Sequence, residues 1–189
     1  TPTASVEDAT NVVVIANTYT DTLTNTGTAC TSANFVIDGD DPTVSSITLA
    51  DTSLTVGETT TLTIVFSEAV AAFANADISV ASGTITTVAT SNDITWTATL
   101  TPTADTEDTS NVVSVATSYT DTAGNAGGAG TSANYEVETQ APSVSSITFA
   151  DTTLLSGETS LVTIVFSEAV AAFANADLTI VSGTMTDVA

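Results

Sequence analysis

Carboxylates are the only side chains in this sequence that carry charge at neutral pH. Twenty-two Asp and Glu stand against no Lys, no Arg and no His in 189 residues, a formal net charge of −22. Two kinds of chemistry are open to carboxylates alone: ligation of hard cations through oxygen, and paired acid–base work such as glycosidic cleavage. Catalytic triads that need His or Lys are excluded by inventory. So are nucleic acid and anionic lipid as direct partners, because no basic side chain exists to displace counterions.

The carboxylates are distributed by a repeat. The segment PTVSSITLADTSLTVGETTTLTIVFSEAVAAFANADI, starting at Pro42, returns from Pro142 as PSVSSITFADTTLLSGETSLVTIVFSEAVAAFANADL. The offset is 100 residues without a gap, and residues 1–89 match 101–189 at 55 of 89 positions. Such self-similarity marks tandem duplication of a structural unit. Pro42 and Pro142 each follow an extended segment, NFVIDGDD and NYEVETQA, which places boundaries near 41 and 141. Residues 1–40 then read as the C-terminal half of one repeat, 41–140 as a complete repeat and 141–189 as the N-terminal half of a third. The chain opens at Thr1 without Met, as a processed or cropped sequence would. Either cropping or strand sharing between identical protomers accounts for the half repeats.

Inside the complete repeat the apolar pattern has period two. Leu62, Ile64 and Phe66 alternate with Thr61, Thr63 and Val65, and Ile94, Trp96, Ala98 and Leu100 alternate with Thr95, Thr97 and Thr99. This predicts strands with apolar residues inward and threonine outward. Further strands are expected at 44–49, 77–80, 84–88, 111–117 and 131–137, separated by turn clusters such as Ser82-Gly83 and the glycine-rich 123–130. Threonine makes up more than a fifth of the chain, which also favours strand over helix. Seven short strands per hundred residues predict an all-β sandwich. The one helix-favouring stretch, SEAVAAFAN at 67–75, is expected to be a loop between strands.

The run VSSITLADTSLTVGETTTLTIVFSEAV, then ADI, then ITWTATLTPTADTEDTSNVVSVATSYTDTAGNAG resembles the bacterial Ig-like repeats of giant surface adhesins. The likeness covers the full repeat and both halves. It implies tandem Ig-like Greek-key β-sandwich domains that act as extenders on a bacterial surface, outside the cell, and stiffen on binding calcium. The chain carries no GGxGxD calcium repeat, no LPxTG-like sorting motif and none of the Lys that Lys–Asn isopeptide bonds require. The resemblance therefore speaks for the shaft of such a protein.

Strands in Ig-like order sort the acids by end. The loop 101–110 holds Asp105, Glu107 and Asp108 where the domain exits, and Glu136 and Glu138 follow in the linker. The next repeat offers Glu168 and Asp177 at its leading end. At the first junction the equivalents are Glu7, Asp8, Asp38, Asp40 and Asp41 from the exit side, with Glu68, Asp77 and also Asp121 from the leading side. This oxygen inventory suits calcium, which takes six to eight oxygens and would offset crowded carboxylates that have no basic partner. The alternative is that the acids are solvated loop residues that keep a threonine-rich rod soluble. Asp121 in DTAGN, like Asp51 and Asp151, is explained first as an Asx-turn residue bonding its own backbone.

Trp96 shares a strand face with Ile94 and Ala98 and is expected in the core. Cys30 is the only cysteine, so no internal disulfide forms, and with no adjacent base it is not a nucleophile. No run of about 18 apolar residues could span a bilayer. Acids on short loops of a repeated rod offer no substrate cleft, so the expected role is mechanical rather than catalytic. The partners implied are neighbouring repeats of the same chain or identical protomers, and the competing function is a filament whose half domains complete one another.

Overall fold

The structure, a computed structural model, describes residues 6–186 and 188. It divides into two compact units, Thr1–Thr139 and Gln140–Ala189. All of the complete repeat but its last residue, Gln140, lies within the first, preceded by strands β1 (Glu7–Asn11), β2 (Val14–Ile15), β3 (Cys30–Thr31) and β4 (Phe35–Asp38). It begins with β5 (Val44–Leu49), β6 (Ser53–Thr55), β7 (Thr60–Phe66) and β8 (Val70–Ala71), then β9 (Ile78–Val80), β10 (Gly83–Ile85), β11 (Ala89–Thr90) and β12 (Thr95–Pro102). It closes with β13 (Glu107–Asn111), β14 (Val113–Val115), β15 (Thr120–Asp121), β16 (Gly130–Thr131) and β17 (Tyr135–Glu138).

One layer of the sandwich is the sheet β10-β12-β7-β5, with β11 also paired to β12. The facing layer is built from β13-β17-β6 and β16-β14-β9. The chain changes layer between β5 and β6, where the Asp51 carboxylate accepts from the Ser53 amide at 3.0 Å and the Asp51 amide donates to the Thr60 hydroxyl at 2.8 Å. This is the Asx turn expected of the ADT motif, and it delivers β6 parallel to β17 in the register Ser53↔Glu136, Leu54↔Val137 and Thr55↔Glu138. The strands expected at 44–49, 61–66, 77–80 and 94–100 are present, whereas three others are shorter or broken: β10 stops at Ile85, β14 covers only Val113–Val115, and residues 132–134 separate β16 from β17. The expected loop 101–110 is partly strand, since β12 runs to Pro102 and β13 takes up Glu107 and Asp108, and β6 is one that the period-two pattern of the sequence does not mark.

The core follows from the alternation. Leu62, Ile64 and Leu100 are 0% exposed and Phe66 is 2% exposed, whereas Thr61, Thr97 and Thr99 point outward. On the outer face threonines pair across strands, Thr63 with Thr97 and Thr61 with Thr99, a cross-strand match that suits branched hydroxyl side chains. Burying each large apolar side chain contributes about 1.5–3 kcal/mol. Phe66, Phe73, Tyr119 and Trp96 form an aromatic group, with Trp96 edge-on to Phe73 at 5.2 Å. Trp96 thus packs on the core as its alternation predicts. SEAVAAFAN contains the short strand β8 and runs into a 3-10 turn at Asn75–Asp77.

Tyr119 fixes one backbone position closely. A Cβ at Gly127 would lie 2.3 Å from the Tyr119 ring, whose hydroxyl donates to the Gly128 carbonyl at 2.7 Å. Gly127→Ala is expected to destabilise the repeat by about 1–3 kcal/mol, the usual cost of overpacking. Chemical denaturation followed through Trp96 tests this, and an unchanged midpoint would show that the loop yields freely.

The flanking halves keep some strands of the complete repeat but not its burial, and among the described residues of the second unit only the counterparts of β5 and β7 are strands. In residues 6–40, β1 pairs with β4 and β2 with β3. Val13 is 59% and Ile15 55% exposed, against 0% and 2% for Val113 and Val115. The second unit contains β18 (Val144–Phe149) and β19 (Val162–Phe166), paired in the register of β5 and β7. There Ile147 is 56% exposed, whereas Ile47 is 7% exposed. Among the described residues no helix is long and apolar enough to cross a membrane.

Candidate metal site

Three carboxylates meet where the first half repeat leads into the complete one. Asp38 closes β4, Glu68 follows β7 by two residues, and Asp121 closes β15. An oxygen of each lies within 4.8 Å of the other two. Asp38 and Glu68 are half-buried and Asp121 is 2% exposed.

Each is held by the fold. The chain after the linker is clamped by Ser67, whose amide donates to the Thr43 carbonyl at 2.9 Å and whose hydroxyl accepts from the Thr43 amide at 2.9 Å. Glu68 is next in sequence. β15 pairs with β8 in the register Asp121↔Val70, which brings Asp121 to the strand that follows Glu68. The Asp121 carboxylate accepts from the amides of Ala123, Gly124 and Asn125 at 2.8, 2.6 and 2.8 Å, and from the Asn125 side chain at 2.7 Å. The Asn125 amide group also reaches the Asp38 carboxylate at 3.3 Å and its carbonyl at 3.4 Å. One asparagine therefore links the two sides.

The electrostatics are one-sided. Burial raises the Glu68 carboxyl above its ordinary value, and the charges of Asp38, Asp121, Glu7 and Asp40 raise it further. Burial also pushes Asp121 upward, but its four hydrogen bonds outweigh that and hold it below the usual carboxylate value. No Lys, Arg or His exists to balance the group.

The donor set fits a hard cation. All donors are oxygen, which suits calcium or magnesium rather than zinc or copper. Calcium–oxygen distances of about 2.3–2.6 Å allow ligand oxygens on opposite sides of an ion to lie roughly 5 Å apart, and the observed separations fall inside that limit. Further backbone or water oxygens would complete its coordination.

The other acids singled out by sequence lie elsewhere or are engaged. Glu7 is exposed on β1 opposite Asp38. Asp8 accepts from the Thr10 amide at 2.8 Å, and Asp40 and Asp41 are exposed in the linker. Asp77 is buried and caps the 3-10 turn, accepting from the Ala74 amide at 2.8 Å and from the Ser118 hydroxyl. Its position is explained by that capping rather than by the cluster.

Asp105 is exposed with φ of 53°, and Glu107 is exposed opposite Glu138. Asp108 accepts from Ser110 at 3.0 Å and Ser82 at 3.1 Å. Glu138, which the 100-residue offset aligns with Asp38, is half-buried, and its Oε1 has no hydrogen-bond partner. In the second unit Glu168 is half-buried, and the exposed Asp177 caps its turn through the Ala174 amide at 3.0 Å.

Asp121 serves both as turn residue and as cluster member. The sequence places Asn125 only in the DTAGN turn and gives it no part in the cluster, although the same Asp–Asn spacing recurs at Asp21 and Asn25. There too the aspartate accepts from the asparagine side chain at 2.8 Å.

A β-sandwich with carboxylates gathered where a preceding half repeat leads into it defines a structural module. The chain belongs to the bacterial Ig-like domain family, whose sequence model matches residues 38–137 and again 138–189. This family suggests a surface or extracellular structural domain. No curated protein and no solved structure matches the chain significantly.

Proposed function

We propose that this chain is an extender segment of a bacterial cell-surface adhesin or extracellular fibre, in which calcium at the junction of successive repeats fixes one repeat upon the next. The observation that carries this reading is the Asp38, Glu68 and Asp121 cluster, because Asp38 closes β4, which pairs with β1 ahead of the complete repeat, whereas Glu68 and Asp121 lie between and on strands of that repeat. A bound calcium supplies positive charge that offsets the mutual repulsion of these groups. Without it, like charges oppose the approach of β4 to the loops after β7 and β15. Asn125 holds Asp121 and Asp38 together in either state. The role is mechanical: a chain of such junctions holds whatever it carries at a distance set by repeat number.

Melting curves with calcium and with EDTA test the proposal. A ligand that binds only the folded form adds about 2.7 kcal/mol at a hundredfold excess over its dissociation constant, on the order of 10 °C for a domain of this size. Glu68→Gln carries the sharper expectation. It removes one of the repelling charges, so it should raise the melting temperature in EDTA while abolishing most of the calcium increment. Melting of the unaltered chain that is indifferent to calcium would remove the metal from this account.

A further inference from the structure

Residues 6–40 expose a sheet face that the complete repeat shows how to cover. The corresponding face of the complete repeat carries Val113, Val115, Tyr119 and Tyr135, all 0–2% exposed beneath the layer that begins at Val44. The two faces share a register, since Ile15 pairs with Cys30 as Val115 pairs with Gly130. They differ in what they can accept.

A Cβ built on Gly130 would lie 2.7 Å from both Cβ and Cγ1 of Val44 and 3.0 Å from Cγ2. Gly130 is not in the left-handed region of φ, so its backbone conformation would tolerate a side chain. The obstacle is Val44 itself, and a Cβ is fixed to its backbone and cannot rotate away. Cys30 carries the side chain that Gly130 lacks. A front half with any Cβ at the Val44 position, placed as Val44 is over Gly130, would therefore overlap the Cys30 Cβ, at the 2.7 Å separation found there. Two further changes enlarge the same face: Ile15 stands for Val115 and Ile37 for Val137, each one methylene larger than a residue that is 2% or 1% exposed in the complete repeat.

We infer that residues 6–40 are completed by a bacterial Ig-like front half carrying glycine in place of Val44, a mirror of the Gly130–Val44 contact with the bulk moved to the other strand. Position 144 is valine, so the front half formed by residues 142–189 of a second copy is refused. The exchange of one side chain across the layers makes each back half selective for its own front half, which opposes cross-pairing among near-identical repeats. This inference is independent of calcium.

The test extends the full chain at its N-terminus with a copy of residues 42–100, which leads into Thr1 as Leu100 leads into Thr101. Three proteins are compared by hydrogen exchange at the amides of residues 13–37: the plain extension, Val44→Gly in the copy, and the plain extension with Cys30→Gly. Protection is expected to rise at least tenfold in both altered proteins over the plain extension. Equal protection in the plain extension and in the Cys30→Gly protein would overturn the steric selection. No gain from Val44→Gly in the copy would overturn the glycine partner.

Discussion

Phe66→Ala is expected to lower the stability of the complete repeat by about 3–5 kcal/mol, whereas Phe166→Ala, the same change one repeat later, should cost well under half as much. Phe66 is 2% exposed and packs against Phe73 at 4.9 Å and Tyr119 at 4.8 Å. Phe166 is half-exposed and meets Phe173 at 5.0 Å, with no ring in the place of Tyr119 among the described residues of its unit. The lone tryptophan makes the comparison direct, because Trp96 reports only on the complete repeat. In guanidinium, Phe66→Ala should shift the Trp96 transition strongly and Phe166→Ala should leave it in place. Comparable shifts would mean that the two units unfold together.

Asp121→Ala is the second large effect, at about 3 kcal/mol. The side chain anchors three backbone amides and the Asn125 amide group, and hydrogen bonds to a charged acceptor contribute about 1.5–3 kcal/mol each when they do not share the load. The equivalent Asp21→Ala should cost less, since Asp21 is exposed.

The pH dependence separates Asp121 from its neighbour Glu68. The Asp121 carboxyl is held below 3.8, so its contribution is present above that value and is lost as pH falls through the lower folded value. The Glu68 carboxyl is raised above 4.5, so its charged form costs stability at neutral pH, and the cost is relieved as pH falls through the raised value. In EDTA, stability should therefore rise on mild acidification before it falls, and Glu68→Gln should abolish the rise. A monotonic decline in the unaltered protein would contradict this order.

Much of the sandwich was legible because its signals are local. Alternation at 61–66 and 94–100 marks strands that each bury one face, and Asp51 and Asp151 announce their turns by a carboxylate two residues before the amide it accepts from. β6 was not legible, because Ser53–Thr55 offers one inward residue, Leu54, and its partner β17 lies more than eighty residues away. The candidate site divides in the same way. Sequence brings acids to one end of a repeat but cannot tell a free carboxylate from one occupied by backbone amides, which is how Asp77 and Asp108 differ from Glu68. Asp121 joins Asp38 only because β15 pairs with β8 and Asn125 spans the gap, and neither is a property of the DTAGN motif alone.

The parallel pairing of β6 with β17 bears on how the repeat takes load. Near its two ends the chain is tied to itself, through Thr52–Thr55 on one strand and Glu136–Glu138 on the other. Tension along the chain pulls the start of β6 and the end of β17 toward opposite poles of the same short ladder. Because the strands run in one direction, that pull is directed along the ladder and shears its hydrogen bonds together instead of peeling them one after another. The carbonyl of Thr52 and the amide of Glu136, 2.8 Å apart, share this shear with the Leu54–Val137 contact beneath them. A repeat fastened in this way yields abruptly and late under tension, as the extender role proposed above requires.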